Sequence, residues 1–517
     1  AEAVLALEPD SLDVLEVLES LRSKSLLRVL ETEGPRGELR LGQYESIRQY
    51  AAQKLPEVGG AEALAERHAD WYLGLARGLR GRVRGPGGTE ALGRLALERE
   101  NLLAACDNAL AAVPGTSQSV ARALEALVAL EPEVVTRGPV SLLLERLDTA
   151  LAKAGTVAVA PLLVAEALAA RGRVHLEAGM LDAARKDLEG ARSTLRVLGM
   201  VAAEKRVLVD LSIVARHEGD VARAWALVRE AQLLPSADDR WLEAYAAGNL
   251  GLVEQVRGGA EAAIPHLRAA QALFRAVGDV TFEVGFLTNC AVAIGETGRT
   301  REALGLLEEA MTRSASVGDR AGHALSRLNL GCFLLEAGRP LDAREHLLAA
   351  GRMGRQLGQR LLEGTALGEL GRAELSLGEL EEAAARLSEA VSGLGRVSRW
   401  QALRFAAYRA AAEALKGDTS AAEASFVVLD GAPELREDAA LRELTALLRA
   451  AVDVAEVRAA GQDGTRAGLA LESARRRMDR ARQAPPEAAS SDLRGALRLL
   501  EEALGPGGTL SPHADAC

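Results

Sequence analysis

Three asparagines, Asn249, Asn289 and Asn329, recur at 40-residue spacing in otherwise apolar, helix-forming sequence, and Asp210 and Glu369 extend the column one step in each direction. A primary amide donates and accepts hydrogen bonds at once, so a ladder of amides can hold the backbone of an extended ligand without reading its sequence. The same ladder can instead bridge adjacent helices and fix their spacing, because buried amides are hydrogen-bonded to something. Seven residues further along runs a second, partly acidic column of Glu177, His217, Val256, Glu296, Glu336 and Ser376. The candidate partner-contacting residues are therefore Asp210, Asn249, Asn289, Asn329, Glu369, Glu296 and Glu336.

Other chemistries find no residues to rest on. The seven histidines never pair at HxxxH or HExxH spacing, which predicts no zinc site. No GxSxG elbow marks a nucleophile. A phosphate loop needs glycine-flanked backbone amides ending in Lys and Ser or Thr; GxxxxGK[ST] is absent, and Lys24, Lys54, Lys153, Lys186, Lys205 and Lys416 lack that context. The expectation is a chain that is not an enzyme, with no cofactor and no metal. Cys290 and Cys332 lie beside small positions of consecutive units and read as buried small hydrophobes.

The elements that position the columns follow from the 40-residue period. A small residue falls at Gly172, Ser212, Gly251, Ala291, Gly331 and Gly371, and a glycine seven residues later at Gly179, Gly219, Gly258, Gly298, Gly338 and Gly378. An alanine follows, then an aliphatic residue four further on and another alanine three after that, as in Ala303, Leu307 and Ala310. The first glycine ends one helix in a left-handed turn, and the spaced small and aliphatic residues form the inner stripe of a second. Thr300 reads as the hydroxyl N-cap of one second helix, and Asp279 and Asp319, after Gly278 and Gly318, as caps of the following first helices. Each unit is then an antiparallel hairpin of helices around 16 residues, or roughly 24 Å, long. One hairpin cannot bury its stripes alone, whereas a series can.

Composition agrees. Aromatic residues make up only 3% of the 517 residues, so small aliphatic side chains must form the core, and the net charge of −11 is spread over interleaved Arg and Glu. That is a solvated surface and predicts no direct nucleic-acid binding, SARRRMDRARQ being an exposed helix face. Cysteines without CxxC spacing, with no apolar run of ~20 residues and no signal-like N-terminus, predict a cytoplasmic, non-membrane protein.

The small-x6-Gly-x4-Ala-x3-Leu-x2-Ala pattern resembles the tetratricopeptide repeat in a long variant, similar to the superhelical repeat domain of the maltose-regulon activator and related bacterial regulators. The resemblance implies an all-α fold: a right-handed superhelical TPR-like α-solenoid with a ligand on its concave face.

Residues 14 to 73 read differently. A helix ending near Arg22, a strand SLLRVLE, a turn at Gly34 to Gly37, a strand ELRLGQY and a helix from Glu45 to Leu55, stopped by Pro56, make a partial winged-helix segment with a β-hairpin. Its Lys24, Arg28, Arg36, Arg40 and Arg48 are offset by acidic residues, which favours a structural role over DNA binding. The blocks LESLRSKSLL, LRLGQYESIRQYAAQKL, ERHADWYLGLA and LERENLLAAC resemble the junction between ATPase core and repeats in the bacterial predicted-ATPase branch of the signal-transduction ATPases with numerous domains. That resemblance implies an ATPase domain upstream of Ala1.

The expected organisation is a partial winged-helix segment at 1–58, irregular helical hairpins at 59–158 with a flexible connection at 81–90, TPR-like repeats at 159–430, C-terminal helices at 431–504 and a disordered tail at 505–517. The expected function is a non-enzymatic protein-interaction and sensor module, the C-terminal regulatory repeat region of a bacterial signalling ATPase or transcriptional regulator. Its partner is a protein or extended peptide. The alternatives are a free-standing TPR scaffold or adaptor, and a small-molecule inducer-binding superhelix.

Overall fold

A computed structural model describes Val4 and residues 14–30, 40–58, 60–112, 115–235, 239–460, 464–485 and 491–504. Helix α1 (Val14–Ser23) leads into an antiparallel hairpin of β1 (Arg28–Leu30) and β2 (Arg40–Gly42), in which Val29 pairs with Leu41, and then into α2 (Glu45–Val58). The turn expected at Gly34 to Gly37 and the tail at 505–517 lie outside the described residues. Helix α2 does not stop before Pro56 but continues to Val58. A proline removes one backbone donor, a small loss when only two residues of helix remain.

Four longer helices follow: α3 (Ala61–Arg80), α4 (Gly88–Ala111), α5 (Ser117–Arg137) and α6 (Ser141–Ala154). They share one core, in which Leu73, Leu95, Leu102, Leu124, Leu127 and Leu143 are buried. Burying each such side chain contributes ~1.5–3 kcal/mol against the exposed state.

The repeats are seven hairpins: α7 (Pro161–Glu177) with α8 (Leu181–Val197), α9 (Val201–His217) with α10 (Val221–Leu233), α11 (Arg240–Gly258) with α12 (Ala260–Val277), α13 (Val280–Glu296) with α14 (Thr300–Ser316), α15 (Arg320–Glu336) with α16 (Pro340–Leu357), α17 (Arg360–Ser376) with α18 (Leu380–Leu394), and α19 (Arg399–Leu415) with α20 (Thr419–Asp430). The chain ends in α21 (Pro433–Glu437), α22 (Ala439–Leu448), α23 (Ala450–Ala460), α24 (Gly464–Arg482) and α25 (Ser491–Leu504).

The periodic small residue has a direct mechanical cause. A Cβ on Gly331 would stand 2.6 Å from Cγ of Leu347, and one on Gly371 or Gly172 would stand 2.7 Å from Cγ of Leu387 or Leu188. The second helix thus drives its repeating leucine into a hole left in the first, the close approach that small interface residues permit. Adjacent first helices use the same device with a ring: Phe286 packs on Gly248, Phe333 on Gly295 and Phe405 on Gly368.

Two local expectations shift. In the third repeat the residue in the turn conformation is Gly259, at φ 87°, while Gly258 is the last residue of α11. Thr300 is the first residue inside α14, so Arg299 takes the cap position and no side chain caps that end. The aspartates behave as expected: Asp279 and Asp319 accept hydrogen bonds from the backbone N–H of Phe282 and Gly322.

The array curves far enough to meet its own beginning. Pro86 packs against Gly278, Arg137 lies over Gly318, the N–H of Val140 donates to the carbonyl of Leu357 at 3.0 Å, and Val397 packs on Gly179. Gly278, Gly318, Gly358 and Val397 sit in successive connections from second to first helix, so one edge of the later repeats rests on earlier elements. The connection expected to be flexible is anchored here too, with the Arg84 guanidinium 4.4 Å above the Trp241 ring.

Candidate functional site

The column of first-helix residues divides into three stretches. At the N-terminal end, Arg173 of α7 donates to both carboxylate oxygens of Glu131 at 2.7 and 3.0 Å and to Asp210 of α9 at 3.2 Å. Asp210 also accepts from the Tyr245 hydroxyl of α11 at 2.8 Å. Burial opposes the Arg173 charge, but the Glu131 and Asp210 carboxylates outweigh it and push the guanidinium further above its ordinary value. Asn249 is buried, and its amide donates to the Tyr245 carbonyl of its own helix at 2.9 Å. The side chains of Asp210 and Asn249 are thus engaged within the chain.

The middle stretch is different. Asn289 of α13 and Asn329 of α15 are half-buried, and neither side-chain amide has a hydrogen-bond partner among the described residues. Glu296, seven residues past Asn289, is exposed and accepts from the Gln255 amide at 2.7 Å. Its neighbouring protein surface, and then the charge of Glu336, push its carboxyl above the usual range against that hydrogen bond.

At the C-terminal end, Glu369 of α17 binds two guanidiniums, Arg372 at 2.6 Å and Arg404 of α19 at 2.7 Å. Both also reach Asp492 of α25, Arg372 at 3.0 Å and Arg404 through Nε and Nη2. Tyr408 lies 4.8 Å beneath the Arg372 guanidinium and donates to the Asp492 carbonyl at 3.2 Å. Burial works against a charged Asp492, yet Arg404 and Arg372 prevail and bring its carboxyl down to about 2. Beside this network is a cavity of 220 Å³ lined by Glu336, Arg372, Ser376, Tyr408, Arg498 and Glu502, among others.

Of the seven residues singled out by spacing, three therefore sit in networks internal to the chain, two present amides without a partner among the described residues, and Glu296 and Glu336 lie at the far ends of the same two helices. Arg372, Arg404, Tyr408 and Asp492 were not singled out. Tyr408 stands 39 residues after Glu369 and continues the column, a signal available in the sequence; the arrival of Asp492 had none.

Burial raises the thiols of Cys106, to about 12, and of Cys290, which leaves them poor nucleophiles. Among the described residues no group of three or more His, Cys, Asp or Glu could hold a metal ion, and no helix is long and apolar enough to cross a membrane.

The repeat region is tetratricopeptide-like. No protein-family model matches the chain, and no curated protein matches it significantly. Among solved structures it is similar to a Rap protein complexed with competence and sporulation factor, at 14% identity and a TM-score of 0.47, covering 66% of this chain and 98% of that one. A signal transduction ATPase with numerous domains carrying a tetratricopeptide repeat sensor, from Pyrococcus horikoshii, matches at 15% identity and a TM-score of 0.43, over 93% of this chain and 61% of that one. The apo quorum sensor NprR from B. thuringiensis matches at 12% identity and a TM-score of 0.39, over 73% of this chain and 99% of that one.

Proposed function

We propose that this chain is a protein- or peptide-binding sensor module whose ligand lies along the inner face of the first helices. The observation that carries this reading is the pair Asn289 and Asn329. At equivalent positions of adjacent first helices, each holds a half-buried amide with no hydrogen-bond partner among the described residues, open to one from a ligand. Such amides meet the alternating donors and acceptors of an extended backbone.

Panning a random peptide library on the chain and titrating retained peptides by fluorescence anisotropy tests it. Replacing Asn289 and Asn329 together by Ala is expected to weaken binding at least tenfold with little change in melting temperature. Unchanged binding with a large loss of stability rejects the clamp and leaves the asparagines a spacing role.

In the same reading the array is the regulatory C-terminal part of a bacterial signalling ATPase or transcriptional regulator, in the cytoplasm, with α1, the hairpin and α2 as the relay. The four sequence blocks between residues 14 and 110 support this. An in-frame phosphate loop in the coding sequence before Ala1 is the expected finding, and a start codon directly before Ala1 removes this part of the reading.

A further inference from the structure

The network around Asp492 is built from two sources. Glu369, Arg372 and Arg404 belong to consecutive first helices and hold one another whatever α25 does. Two guanidiniums against one carboxylate leave one positive charge over, in a place where Glu369, Arg372 and Arg404 are only 3%, 11% and 7% exposed. A second carboxylate is therefore required there. Asp492 supplies it from a helix reached through the sequence PPEAASS.

Helix α25 meets the array along one polar face. Asp492 binds both arginines; three residues on, Gly495 lies close under the Arg372 guanidinium, a Cβ there standing 3.1 Å from it. Three further on, Arg498 donates to the Glu336 carbonyl at the end of α15 at 3.0 Å, where the unsatisfied carbonyls of a helix terminus favour a cation. The opposite face of α25, with Leu493, Leu500 and Leu504, packs in the core shared with α19 and α22 to α24. A cavity of 220 Å³ lies between the polar face and the array, lined by Arg372 and Tyr408 on one side and Gly495 and Arg498 on the other.

We propose that the groove of α15, α17 and α19 binds an amphipathic helix of the pattern Asp-x-x-Gly-x-x-Arg with leucines on its other face, and that α25 is a built-in copy of that ligand. This rests on the reading of the chain as a peptide- and protein-binding array, and it names the partner chemistry at the C-terminal end. A partner helix enters by exchange with α25, against the tethered copy's effective concentration in the ~mM range.

The test uses the full chain and a labelled peptide of residues 491–504. Wild-type chain is expected to bind it no better than ~100 µM, because its own α25 competes. Asp492→Asn removes the internal carboxylate and is expected to bind the peptide ~100-fold tighter, the peptide raising its melting temperature. A peptide carrying Asn in place of its Asp is expected to bind neither protein. Should Asp492→Asn fail to fold by circular dichroism, Arg498→Ala removes only the contact to Glu336 and is expected to give an intermediate gain; in wild type, excess peptide is expected to speed amide exchange in α25. Equal binding of the Asp and Asn peptides, or no peptide binding to a folded variant, overturns the proposal. If that happens while the Asn289 and Asn329 substitutions still weaken library peptides, the proposed function stands without it.

Discussion

The side-chain amide of Gln359 donates to the carboxylate of Glu177 at 2.7 Å, joining residues 182 positions apart at the edge where the array meets its own beginning. Gln359 precedes α17 directly after the Gly358 turn, and Glu177 ends α7, so the bond ties the sixth hairpin to the first. Burial raises the Glu177 carboxyl to about 7; the Gln359 hydrogen bond opposes this, while the Asp319 and Glu131 charges add to it.

That placement sets a pH dependence. A carboxyl whose folded pKa is raised binds more protons folded than unfolded, so its stability penalty is fully present above the folded pKa of about 7 and disappears as pH falls toward the unfolded value of 4.5. Glu177→Gln is expected to be more stable than wild type at pH 8 by ~1 kcal/mol, discounted for partial exposure, and equal to it near pH 5. His175 and His217, whose pKa values are lowered, destabilise both proteins alike below their ordinary value and cancel in the difference. Thermal melts of the two proteins from pH 5 to 8 check it. A constant offset across that range would falsify the assignment to Glu177.

Two glycines inside helices should respond in opposite directions. Gly331→Ala gains ~1 kcal/mol of helix propensity but places a Cβ 2.6 Å from Cγ of Leu347 and 2.7 Å from its Cδ2. Overpacking of that kind costs ~1–3 kcal/mol, so a net loss of ~1 kcal/mol is expected. Gly305→Ala in α14 meets nothing within 4 Å and should stabilise by ~0.5–1 kcal/mol. Urea midpoints of the pair decide whether the periodic small residue is a packing requirement.

That pair also shows what was legible in the sequence. The repeat, its turn glycines and the Gly-to-Leu packing are local consequences of a 40-residue pattern, so Gly331, Leu347 and the Asp319 cap could be placed from spacing alone. The slip between Gly258 and Gly259 shows the limit of that method, since either of two adjacent glycines can take a positive φ and only the helix length chooses. Contacts such as Gln359 to Glu177, or Arg404 to Asp492, depend on curvature accumulated over several hairpins. No local pattern encodes that sum. The asparagine column lies between these cases: spacing aligned its members, but their neighbours at each end of the array determine whether an amide or carboxylate is already engaged.

The column therefore predicts unequal costs for equal substitutions. Asn249→Ala deletes a buried amide that donates to the Tyr245 carbonyl and is expected to cost ~1 kcal/mol. Asn329→Ala deletes an amide without a partner among the described residues and should stay within ~0.5 kcal/mol of wild type. Differential scanning calorimetry of the two variants separates them, and equal losses would mean that Asn329 is bonded inside the chain after all.

Arg173 gives the largest expected effect. Among the described residues it is the one cation shown within ion-pair distance of both Glu131 and Asp210, which are 3% and 1% exposed and lie on α5 and α9. Arg173→Met keeps much of the side-chain volume but leaves two carboxylates close together with no cation between them. Breaking a buried pair in this way costs ~3–5 kcal/mol. Adding Glu131→Gln removes one of the stranded charges and should recover a substantial part of the loss, Asp210 keeping the hydrogen bond from the Tyr245 hydroxyl. The Trp241 ring, 5.0 Å from the Tyr245 ring, reports on this region, so guanidinium unfolding followed by tryptophan fluorescence reads the change. Repeat arrays need not unfold in one step, and the comparison is therefore of midpoints for that probe: a double variant no more stable than Arg173→Met would show that the loss comes from packing and not from the unpaired charges.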